Sequence, residues 1–136
     1  MHNVDTMMYY GGYQSLLIGY DRTPTPAAIA TAVTADCMDG LKAVPCPDQP
    51  GVVQGLLAGP GRATWAVYDD AGVMGHKRLN LSALPPGVEV RDVMGNDPRG
   101  DGKKTWEIGI QPLFVLSGRL PAAKLAAACV KTLAAQ

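Results

Sequence analysis

Ile29, Val33, Cys37 and Leu41 recur every four residues, the spacing that lines one face of an α-helix. Thr25 offers a side-chain oxygen to the free N–H groups of a first turn. Pro26 occupies a first helical position, where its missing N–H costs no intrahelical bond. Ala27, Ala28, Ala30, Ala32 and Ala35 add helix propensity. The pattern predicts a helix over 26–41, with Gly40 near its stop. Upstream, 4–10 is rich in Val, Met and Tyr and reads as a short strand. Gly11-Gly12 breaks it, and 13–20 forms a second extended stretch.

After Val44 the pattern changes. Pro45, Pro47 and Pro50 exclude a helix and favour an extended connection. The runs 52–57 and 63–68 flank Gly59-Pro60-Gly61 and read as a hairpin, with a loop longer than the tight two-residue kind. Residues 77–81 alternate polar and apolar, as in a half-buried strand. Val88, Val90 and Val93 share a face, with Glu89 and Arg91 opposite. A polar loop over 96–102 precedes strands at 105–110 and 113–116. Pro121 opens a last helix over 121–133, with Leu125, Cys129 and Leu133 on one side; its alanines suit a surface helix or a flexible tail. Short strands separated by turns predict a mainly β fold: a small antiparallel β-sandwich with a preceding helix and a C-terminal helix. Within it, Asp92-Val93-Met94-Gly95-Asn96 has the chemistry of a turn. Gly and Asn tolerate positive φ there, and Asp92 is placed to accept bonds from backbone N–H groups. Val93 and Met94 are expected to plug the end of the sandwich.

Composition narrows the function classes. A chain of 136 residues can bury one real core, but a (β/α)8 barrel needs at least about 200 residues. With 47% hydrophobic and 18% charged residues, it falls outside the disordered class. Twelve basic and twelve acidic side chains cancel, and without a Lys/Arg block the chain lacks the electrostatic footprint of a nucleic-acid binder. No apolar run approaches the roughly 20 residues of a membrane span. Cys37, Cys46 and Cys129 match neither a disulfide framework nor a zinc pattern; buried free thiols or a single bridge both fit. The first residues, MHNVDTMMYYGG, lack the basic and apolar regions of a signal peptide.

Several short motifs fall in a telling order: Thr23-Pro24-Thr25-Pro26-Ala27 opening a helix, a hairpin with Trp65 in its second strand, the Asp-Val-Met-Gly-Asn turn, and a terminal strand over 110–116. Together they resemble the C-terminal region of bacterial (β/α)8-barrel glycoside hydrolases, where the last barrel strand and helix lead into an accessory β-sandwich. The resemblance covers most of 4–117. It implies three parts: 1–43 as the remnant of the last barrel strand and helix, 44–117 as the sandwich, and 118–136 as a C-terminal helix or tail. It further implies a noncatalytic portion that braces a catalytic barrel, the barrel being its partner, in a parent enzyme that is secreted or periplasmic. The helix after Ser117 departs from the family pattern.

Retaining glycosidases place two carboxylates about 5 Å apart across the scissile bond. Asp5, Asp21, Asp36, Asp39, Asp69, Asp70, Glu89 and Glu107 are available, but none sits in a recognisable catalytic context, and by resemblance the catalytic pair belongs to absent barrel strands. No catalytic residue, metal ligand or cofactor is assigned. Carbohydrate contacts are sought instead among the aromatics, whose faces stack on sugars: Tyr9, Tyr10 and Tyr13 in the N-terminal stretch, and Trp65 and Trp106 in strands. Inward packing of both tryptophans favours the brace; joint exposure on one face favours an alternative, a stand-alone carbohydrate-binding or protein-interaction module. Arg99-Gly100-Asp101 reads as a solvated turn, since Arg99 and Ile108 occupy positions that a calcium loop gives to ligands. His2 and His76 stand alone, and Asn80-Leu81-Ser82 falls in a predicted strand. Unpaired strand edges and the apolar helix stripe in the N-terminal third need other cover, so that segment is expected either to fold back on the sandwich or to drive self-association. The isolated chain is expected to release no chromophore from aryl glycosides. Turnover abolished by a single Asp or Glu substitution would contradict that expectation.

Overall fold

The computed structural model describes residues 26–69 and 77–135; the extended stretches expected at 4–10 and 13–20 lie outside them. Helix α1 (Pro26–Met38) is followed by strands β1 (Lys42–Ala43), β2 (Val53–Gly59), β3 (Arg62–Tyr68) and β4 (Lys77–Asn80). After a 3-10 turn at Leu81–Ala83 come β5 (Glu89–Arg91), β6 (Thr105–Glu107), β7 (Leu113–Ser117), α2 (Ala122–Val130) and β8 (Leu133–Ala135). The fold is mainly β. Among the described residues, one sheet has five strands in the order β1-β2-β3-β7-β5, the other has three in the order β6-β4-β8, and every pairing is antiparallel.

The N-terminal helix covers Pro26–Met38 of the described residues and stops short of Leu41, its predicted end. Leu41 N–H donates to the Met38 carbonyl at 3.1 Å, and Gly40 turns the chain with φ 69°. The Pro60-Gly61 hairpin is tighter than its sequence suggests. Gly59 pairs with Arg62, so only Pro60 and Gly61 form the loop. Proline fixes its own φ near −65°, and Gly61 adopts φ 68°; together they reverse the chain without further residues.

Alternation along the strands divides the large sheet into two working faces. Leu56 pairs with Trp65, Trp65 with Val115, and Val115 with Val90, which puts all four on one face. That face meets Leu79 and Ile108 from the small-sheet side and Leu125, Ala126 and Cys129 from α2 in a single core. Thr64, Ala66, Phe114 and Leu116 point the other way. There Phe114 and Leu116 pack with Cys37, and Val33 and Ala66 border them. Strand β7 is therefore buried at every position. Its uninterrupted Leu-Phe-Val-Leu is the pattern of a strand covered on both sides.

Trp65 occupies the middle of this core and is 0% exposed. Its indole N–H donates to Gln54 Oε1 at 2.8 Å, so the ring's one polar group is satisfied inside. Burying a ring of this size contributes on the order of 4–6 kcal/mol at the usual area coefficient.

The C-terminal helix is shorter than its alanine pattern predicts. It ends at Val130, and Leu133 belongs instead to β8, opposite Leu79. Just beyond the end of the helix, the Thr132 N–H and hydroxyl both donate to the Cys129 carbonyl, at 3.0 and 2.7 Å. Leu125 and Cys129 do share a face, and both are fully buried.

The Asp92–Asn96 turn has the predicted mechanism. Asp92 Oδ1 accepts from the N–H groups of Met94 and Asn96, each at 2.9 Å, and Gly95 takes φ 85°. A Cβ on Gly95 would lie 3.2 Å from Val33 Cγ2, so the turn rests against α1. The expected plug is not there: Met94 is 38% exposed and Val93 is half-buried, because Asp92 curls the turn over its own backbone and away from the core. Met94→Asp should thus shift stability by no more than about 0.5 kcal/mol. Asp92→Ala, which orphans two N–H groups, should cost about 1–2 kcal/mol. Chemical denaturation of both variants checks the ranking, and a larger loss in Met94→Asp would restore the plug.

Candidate functional site

The densest polar constellation lies where α1 meets the large sheet. Glu89 and Arg91 sit two apart on β5, so alternation puts both on the helix-facing side. Asp36, near the end of α1, completes the group. Arg91 Nε donates to Glu89 Oε1 at 2.5 Å, and its Nη1 donates to Asp36 Oδ2. Hydrogen bonds from Arg91 to Glu89 first and Asp36 second push the guanidinium pKa up, so it stays charged. Arg62 of β3 adds a bond from Nη2 to the Asp36 backbone carbonyl. Below them Thr64 donates to the Cys37 carbonyl at 2.8 Å.

This arrangement ties α1 to the large sheet. Both carboxylates in it accept hydrogen bonds from one guanidinium. The Asp36 side chain is 60% exposed and that of Arg91 26%, so the pair contributes modestly to stability, as exposed ion pairs do. Elsewhere Glu107 lies 4.0 Å from Arg78 on the small sheet. Asp69 is buried, and its N–H donates to the Gly109 carbonyl at 2.8 Å. Asp39 is exposed just beyond α1. Asp5, Asp21 and Asp70 lie outside the described residues, as do His2 and His76. Among the described residues, no three His, Cys, Asp or Glu side chains gather as a metal site.

The aromatic candidates separate. Trp65 presents no face at the surface, so a sugar cannot stack on it. Trp106 is half-buried against the core, opposite Leu79 in the small sheet, and Lys103 Nζ lies 5.6 Å from its ring centroid. The two rings form no common platform. Tyr9, Tyr10 and Tyr13 lie outside the described residues.

Arg99 is committed within its own loop. It donates from Nε and Nη2 to the Asp97 carboxylate, with Nη2 to Oδ2 at 2.6 Å, and from Nη2 to the Val88 carbonyl at 3.1 Å. Its hydrogen bonds hold the Asp97 carboxyl below the ordinary range. The Arg-Gly-Asp sequence is thus a braced turn. Asn80 is likewise occupied: its Oδ1 accepts from Ser82 N–H at 3.0 Å and caps the 3-10 turn. A shallow groove of about 520 Å3 runs between 83–86 and α2, with Lys124 and Lys131 on its border. It brings together no carboxylate pair.

The sequence signalled part of the clamp. Glu89 and Arg91, two residues apart on a strand, were bound to share a face. The involvement of Asp36 carried no local signal, because it depends on how α1 crosses the sheet. No protein-family model, curated protein or solved structure matches this chain.

All three cysteines are free. Burial pushes the Cys129 thiol up to about 12 and raises Cys37 as well, so neither forms a thiolate readily near neutral pH. Burial, and Asp48 beside it, raise the Cys46 thiol too, but Cys46 is only half-buried, so access sets it apart. Native protein at pH 8 should therefore react with a thiol reagent at Cys46 alone, and all three thiols should react in denaturant. Rapid native labelling of Cys129 would contradict the packing of α2.

Proposed function

We propose that this chain is the noncatalytic C-terminal portion of a glycoside hydrolase-like protein, a β-sandwich that braces a catalytic barrel through the helix that enters it. The observation that carries this reading is the fastening of α1 across the outer face of the large sheet. Cys37 is buried against Phe114 and Leu116, Arg91 holds Asp36, and Gly95 leaves room for Val33. The resembling Asp-Val-Met-Gly-Asn turn thus meets the resembling helix. A helix fixed at so many points would transmit the orientation of whatever precedes it to the sandwich.

Two further features fit a brace. Ile29 and Met38 on α1 are 36% and 38% exposed, leaving apolar surface beyond what the sandwich covers. The buried Trp65 and half-buried Trp106 offer no paired aromatic platform, which weighs against the stand-alone carbohydrate-binding alternative.

The proposal assigns the parts 1–43, 44–117 and 118–136 to barrel remnant, sandwich and C-terminal extension, with the barrel as partner; β1 from the first part and α2 with β8 from the last complete the sheets and core of the sandwich. Affinity electrophoresis in gels containing xylan, β-glucan or galactomannan separates the readings. The brace predicts unretarded migration; retardation removed by Trp106→Ala would favour the binding module. Deletion of 1–23 should leave the sandwich's cooperative melt in place and reduce any self-association. Global unfolding on that deletion would contradict the proposed division.

A further inference from the structure

We draw no further inference here: the strongest candidate, the apolar cavity of about 210 Å3 between the proline-bearing segment 45–49, β2 and α2 with Cys46 on its wall, carries nothing because no feature of the structure shows what fills or covers it.

Discussion

The structure depends on covering both faces of one sheet. Strands β3 and β7 lie at its centre and carry apolar side chains in both directions. A sheet of this kind is stable only when each face is removed from water. On one side the cover is the three-stranded sheet with α2; on the other it is α1. Trp65 and Cys37 mark the two contacts, and both are fully buried. The remaining features follow from holding those two covers in place: the clamp on Asp36, the turn against Val33, and the Leu133 strand beside Leu79.

The two covers differ in character. The α2 side is a broad core with Leu56, Leu79, Val90, Ile108 and Leu125 around the indole, and burial of apolar area dominates there. The α1 side is narrow, with three buried members, and is supplemented by polar fastening from Arg62, Thr64 and Arg91. Exposed ion pairs add little stability, but they fix where the helix lies. The joint is specified by direction more than by buried area, as the proposed brace requires.

Much of this was legible in the sequence. Helix α1, the β2–β3 hairpin, the alternation of Val88 and Val90 against Glu89 and Arg91, and the Asx-type turn at Asp92 all follow from local chemistry. Three features were not legible, each for a nonlocal reason. Leu133 sits at helical spacing after Leu125 and Cys129, but pairing with β4 outweighs one more helical turn. Met94 looks like a core residue by hydropathy, but the turn geometry directs it outward. Asp36 is the one charged residue of α1, but nothing local pairs it with Arg91 until the helix crosses the sheet. Of the aromatic candidates, alternation alone could not say that Trp65 would be sealed in completely by a C-terminal helix.

That helix is where the account is most exposed. If α2 supplies one cover of the central sheet, residues 118–136 are a structural necessity for the sandwich. The direct measurement is the thermal unfolding of a chain ending at Ser117, followed by near-UV circular dichroism of the tryptophans. The account predicts loss of the Trp65 near-UV signal and of a cooperative transition, since Leu125, Ala126 and Cys129 leave the core together. A truncated chain that keeps both, and melts within a few degrees of the full chain, would show that the central sheet does not need this cover.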